Sequence, residues 1–141
     1  MASRGAPMPA LALPGLDGGT VQLPRAYAGR AILINFWASW CGPCIVEMPE
    51  LDAYARRQDA NGTQVLGIAL DRREDVRTFL QRTPVGYPIL IDAPGPADSS
   101  VQLGNPRGVL PYTVLIGADG RLLKQKIGPF VSGEIDAWAR P

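Results

Sequence analysis

The 141-residue sequence predicts a mixed α/β fold, a central β-sheet with both parallel and antiparallel strands flanked by helices and preceded by an N-terminal β-hairpin. Three observations carry this reading. Two nearly continuous apolar runs, AILINFW at 31–37 and QVLGIAL at 64–70, have the character of strands buried on both faces. Each is followed by apolar residues at helical spacing, so helical crossovers join parallel strands. Late in the chain, YTVLI at 112–116 and RLLKQKI at 121–127 flank Ala118-Asp119-Gly120, a hairpin signal that makes that pair antiparallel.

The elements follow in order. In LALPGLDGGTVQL, 11–23, Asp17, Gly18 and Gly19 supply turn chemistry between two short alternating runs, which reads as the hairpin. After the strand at 31–37, Ile45, Met48, Leu51, Asp52 and Ala55 keep helical spacing until Asn61-Gly62 ends the segment. Beyond 64–70, Asp71 stands where an N-cap would, and Val76, Phe79 and Leu80 form a stripe running to about Arg82. YPILI, 87–91, is a short strand. Residues 93–108 are rich in Gly, Pro and Ser, with one helical turn around Ser100–Leu103. A last helix covers Ser132 to Ala139, and helices are expected on both faces of the sheet.

One domain over 1–141 is expected, with residues 1–8 flexible. Sixteen Gly and 14 Pro, about a fifth of the chain, imply many loops. The formal net charge of +1 gives no electrostatic case for nucleic-acid binding. Histidine is absent, which removes the commonest general base and metal ligand, and with it the usual Ser-His and Cys-His hydrolases. A closed zinc site would need two more ligands beyond the two thiolates, so no metal and no cofactor is expected. No stretch approaches the ~20 apolar residues of a membrane span.

Both cysteines lie in NFWASWCGPC, 35–44, at the junction of a buried strand and a helix. A disulfide over so short a loop constrains the unfolded chain little, about 2 kcal/mol against about 4.7 for a hundred-residue loop. The position favours chemistry. With Cys41 at the helix start, its sulfur faces unpaired N–H groups and the positive end of the dipole, which favour thiolate over thiol. Cys44, nearly one turn on, can reach back to resolve a mixed disulfide, and Pro43, without an N–H, suits a first helical turn.

WCGPC after ILINFWAS, with Glu47, Pro49 and Leu51 following and GVLPYTVLIGADG at 108–120, resembles the thioredoxin superfamily, and within it the TlpA/ResA-like thiol-disulfide oxidoreductases. The likeness spans roughly residues 7–139 and implies a thioredoxin-like fold. It also implies that Cys41 attacks, Cys44 resolves and Glu47 moves protons. Ordinary thioredoxins carry a buried aspartate at the position of Asn35, which cannot ionise. Glu47, three residues after Cys44, shares its helical face. If desolvated, Glu47 has a raised pKa and can exchange the Cys44 proton; by spacing alone, a solvent-facing carboxylate near the helix start fits as well. The resemblance further implies a cis Leu110–Pro111 bond against the cysteine pair, with Leu110 offering backbone groups to an extended substrate segment; otherwise Pro111 merely starts a strand. Leu110 is bulkier than the residue usual there. Trp40, Gly42 and Pro43 are assigned to the substrate-facing surface, although packing suits Trp40 nearly as well. Trp37 reads as core, and Pro49 as a structural kink.

The function expected is thiol-disulfide exchange with protein substrates carrying an exposed disulfide or thiol pair, in the reducing direction. The resemblance implies reduction outside the cytoplasm, for example of apocytochrome c or copper-protein thiols, with electrons from a membrane thiol-disulfide carrier. A monomer is expected, in the periplasm with a signal or anchor absent from these residues, or alternatively in the cytoplasm. Two other readings stand beside it: a peroxiredoxin-like peroxide reductase, and a non-catalytic thiol module that binds metal.

Overall fold

In the computed structural model, which describes residues Met1–Pro141, the apolar runs become seven strands and four helices. β1 (Leu11–Pro14) and β2 (Thr20–Leu23) form the antiparallel hairpin. Two crossover units follow: β3 (Ile32–Trp37), α1 (Gly42–Arg56), β4 (Gln64–Leu70), α2 (Arg73–Arg82) and β5 (Ile89–Asp92). A four-residue α3 (Ser99–Gln102) leads to the hairpin of β6 (Tyr112–Ile116) and β7 (Leu122–Ile127), and α4 (Glu134–Trp138) comes last. The central sheet has the order β5-β4-β3-β6-β7. β3, β4 and β5 are parallel; β6 and β7 run antiparallel to their neighbours.

Both βαβ crossovers step the same way across this sheet, and right-handed connections then put α1 and α2 on one face. Leu33, Trp37 and Val65 of the sheet meet Met48 and Leu51 of α1, Val76 of α2 and Ile135 of α4 in one core layer. The other face, with Ile34, Phe36, Ile68 and Val114, is covered by Leu11, Leu13 and Leu23 of the hairpin together with Met8 and Leu103. Helices do lie on both faces, but unequally. At four residues, α3 is too short for an apolar stripe, so the hairpin does most of the covering there.

Residues 1–8, for which the sequence predicts flexibility, lie beside the start of β7. Gly5 N–H donates to the Leu122 carbonyl at 2.7 Å, and Leu122 N–H donates to that of Ala6 at 2.9 Å. Arg72, and not Asp71, occupies the N-cap of α2, without a side-chain cap. β5 begins at Ile89, since Pro88 has no N–H to offer the ladder.

Gly67, in the middle of β4, is closely approached by three side chains. A Cβ there would stand 2.7 Å from Ile89 Cδ1, 3.2 Å from Trp37 Nε1 and 3.3 Å from the Tyr87 ring. The expected result for Gly67→Ala is a loss of about 1–3 kcal/mol of stability from forced repacking, read as a lower denaturant midpoint. An unchanged midpoint would show that the Ile89 side chain moves aside freely.

Candidate active site

β3 delivers its chain to the C-terminal edge of the sheet, the end at which sites collect in open α/β folds. Ala38, Ser39 and Trp40 make the turn, and Cys41 becomes the N-cap of α1 in an extended conformation, φ −92° and ψ 102°. Its sulfur accepts the Cys44 N–H at 3.3 Å, one of the donors that a helix start leaves unpaired. Negative charge on Cys41 is favoured in that place by the N–H group and by the helix dipole. Gly42 and Pro43 fill the first two helical positions, and Pro43 forfeits no hydrogen bond there. Cys41 and Cys44 form a disulfide with Cα atoms 5.3 Å apart. Cys41 is 4% exposed and Cys44 0%, so an incoming group meets Cys41 first. Gly42 and Pro43 are exposed, as is Trp40, which faces solvent instead of packing in the core.

The turn before Cys41 is held from the neighbouring strand. Asp71, at the end of β4, accepts hydrogen bonds from both the Ser39 N–H, at 2.8 Å, and the Ser39 hydroxyl. That is why Asp71 does not cap α2: its carboxylate is turned toward the cysteine loop. Parallel neighbours end side by side, so the first polar residue after each apolar run, Ser39 and Asp71, was the available signal for this contact.

Glu47 is buried, 3% exposed, on the sheet-facing side of α1. Asn35 Nδ2 donates to Oε1 at 2.8 Å and the Phe130 N–H donates to Oε2 at 3.0 Å. Asn35 Nδ2 also donates to Thr113 Oγ1 at 3.1 Å across the β3–β6 register, and Asn35 Oδ1 has no protein partner. Burial pushes the Glu47 pKa above the ordinary carboxylate value; the hydrogen bonds from Phe130 and Asn35, and the charge of Lys126, oppose the rise without cancelling it. Lys126 is held nearby by Glu134 at 3.1 Å. The solvent-facing alternative for Glu47 is not what the structure holds. α1 also runs without interruption through Pro49.

The Leu110–Pro111 peptide bond is cis, as is Leu23–Pro24, which the sequence did not announce. Pro111 is buried, and its carbonyl accepts the Gly128 N–H at 2.9 Å. Leu110 packs on the core layer that contains both cysteines. Its own N–H and C=O carry no hydrogen bond. Four of the exposed large apolar side chains, Trp40, Val46, Val109 and Val131, adjoin Cys41, Glu47, Leu110 and Phe130 in sequence. Sequence reading missed Ser39–Asp71, Thr113 and the Phe130 N–H. Thr113 had a usable signal, because strand alternation puts it on the same face as Pro111. The Phe130 contact is a backbone group in a loop and had none.

The AhpC/TSA family model matches residues 4–125. Similar proteins include the thiol-disulfide oxidoreductase ResA of Geobacillus thermodenitrificans, 30% identical over 134 residues that cover 93% of this chain and 73% of that protein. ResA of Bacillus cereus is 25% identical over 124 residues, covering 87% and 69%. Among solved structures, a Chlorobium tepidum protein assigned as the thiol:disulfide interchange protein DsbE superposes with a TM-score of 0.84. It is 30% identical, with 98% of this chain and 94% of that one covered.

Proposed function

Since the chain belongs to the AhpC/TSA family and is a thiol-disulfide oxidoreductase of the ResA and DsbE type, we propose that it acts as a reductase of protein disulfides outside the cytoplasm. The observation that carries the mechanism is a buried carboxylate, Glu47, on the sheet-facing side of the helix that Cys41 caps, Cys41 being the one cysteine of the pair that reaches solvent. In the reduced protein the Cys41 thiolate attacks one sulfur of a substrate disulfide. A mixed disulfide forms, and the other substrate sulfur leaves as a thiolate. Glu47 takes the proton of Cys44, and the Cys44 thiolate then attacks the Cys41 sulfur. The Cys41–Cys44 disulfide forms, the second substrate sulfur is released, and the Glu47 proton passes to a departing thiolate. Two electrons have moved from the protein to the substrate.

Leu110 offers its free N–H and C=O to the backbone of an extended substrate segment. Trp40, Gly42, Pro43 and Val46 line the approach to Cys41, an uncharged surface suited to a polypeptide with apolar residues beside its cysteine. We place this monomer in the periplasm, take apocytochrome c or copper-protein thiols as its substrates and a membrane thiol-disulfide carrier as its electron source. The support for these assignments is the TlpA/ResA-like character of the sequence. No helix is long and apolar enough to cross a membrane.

The test is to follow reduction of insulin by the reduced protein and to equilibrate the dithiol with glutathione. The expected outcome is reduction of insulin and a potential toward the thioredoxin end, about −270 mV, rather than the DsbA end, about −120 mV. An oxidising potential with no insulin reduction overturns the reductase direction. Peroxide consumption faster than insulin reduction would establish the peroxidase reading instead.

A further inference from the structure

The segment between α3 and β6 has no regular secondary structure, yet one side chain organises it. Asn105 is fully buried. Its Oδ1 accepts the Val109 N–H at 3.2 Å, and its Nδ2 donates to the Val109 carbonyl at 2.9 Å. The amide group therefore pairs with both polar groups of Val109, as an adjacent strand would. Asn105 is itself fixed. Its N–H donates to the Ser100 carbonyl at 3.0 Å, and its Nδ2 also reaches Ser100 Oγ at 3.4 Å. The Ser100 hydroxyl donates to Asp98 Oδ1 at 2.7 Å, and Asp98 caps α3 by accepting the Val101 N–H at 3.1 Å.

The consequence falls on Leu110. The residue before it has both backbone groups taken internally, and the residue after it, Pro111, has no N–H. Leu110 is left with an N–H and a C=O that no other part of the chain uses. A buried side chain thus leaves a single residue free to pair with an incoming strand. We propose that Asn105 is a positioning residue for polypeptide substrates: by tying Val109 inward, it fixes the orientation and register of the Leu110 edge. It touches neither the cysteines nor the substrate. The proposal rests on the reductase reading above and adds that substrate register is set from α3, outside the C-x-x-C loop.

A positioning role and a catalytic one separate on substrate size. Insulin must lie along the Leu110 edge; oxidised glutathione needs little of it. For Asn105→Ala we expect kcat/KM toward insulin to fall about tenfold, chiefly through KM, with less than a twofold change toward oxidised glutathione. Amide exchange at Val109 is expected to accelerate in the same variant. Ser100→Ala removes only the outer support and is expected to give a smaller, same-signed loss, two- to threefold on insulin alone; it stands in if Asn105→Ala does not fold. An equal loss on both substrates, or unchanged insulin kinetics in folded Asn105→Ala, overturns the positioning role while leaving the reductase reading intact. If Ser100→Ala alone is available, wild-type insulin kinetics overturn it as well. Wild-type protein that reduces neither substrate sinks the reductase reading and this proposal together.

Discussion

Cys44→Ser is expected to turn the protein from a catalyst into a trap. Cys41 still captures a substrate disulfide, but nothing inside the molecule releases it. The intramolecular nucleophile that would do so lies three residues away on the first turn of α1, already joined to Cys41 in the oxidised state. Well-oriented intramolecular groups reach effective molarities of ~10⁵ M or more, so an external thiol at millimolar concentration is a poor replacement. Turnover on a protein disulfide is expected to fall by at least ~10³-fold, with a covalent adduct visible on a non-reducing gel and lost on adding dithiothreitol. Cys41→Ser is expected to give neither turnover nor adduct, because Cys44 is fully buried while Cys41 reaches solvent. Adduct formation through Cys44 in that variant would reverse the assigned order of attack.

Glu47→Gln is expected to lower the reduction rate at neutral pH by about 10²-fold, the lower range for loss of a positioned proton acceptor. The larger diagnostic is the pH profile. Burial raises the Glu47 pKa above the ordinary carboxylate value, so the wild-type rate is expected to rise with pH through that elevated value as the carboxylate becomes available. The glutamine variant, with nothing to ionise there, lacks that inflection.

Stability moves the opposite way. A carboxyl whose pKa is higher folded than unfolded stabilises the fold most at pH below its unfolded pKa. That contribution is lost as pH rises through the folded value. Glutamine carries no such loss, so Glu47→Gln is expected to gain on wild type between the ordinary carboxylate range and the elevated pKa, and to keep the gain at neutral pH. The site can accept the amide. Its oxygen keeps the Phe130 N–H, and rotation of Asn35 presents Oδ1 to the new NH₂ group and to the Thr113 hydroxyl, which turns from acceptor to donor, while Nδ2 takes the place where Oδ1 now has no protein partner. Thermal melts from pH 4 to 8 check this. A constant offset between the two proteins across that range contradicts a raised Glu47 pKa.

Much of the site was legible because it is local. Cys41, Gly42, Pro43 and Cys44 occupy consecutive positions, and a buried strand running straight into a helix leaves few options for where the first sulfur points. Helical spacing likewise placed Glu47 on the face of Cys44. What could not be read was the environment that buries Glu47 and raises its pKa. Its partners lie 12 residues upstream, in Asn35, and 83 downstream, in the Phe130 backbone. Asn35 reads in sequence only as a residue that cannot ionise; in the fold it is the donor that holds the neighbouring carboxylate. Asp71 looked like a helix cap because a cap is the nearest local use for an aspartate in that place. Its real partner, Ser39, is 32 residues away in the turn that follows the neighbouring strand β3.

By itself the sequence determined the order and type of the elements and singled out the C-x-x-C pair, and its resemblance to the thioredoxin superfamily implied the fold. The elements follow from continuous apolar runs, helical spacing and turn residues, all of them local. Only the tertiary structure decided which cysteine meets solvent, that Glu47 is buried, how the cysteine loop is pinned and which residue keeps a free backbone edge. Each of those depends on how far a group is withdrawn from water and on partners brought in by other strands and loops. Burial and long-range pairing are properties of the assembled sheet, and no stretch of chain carries them alone.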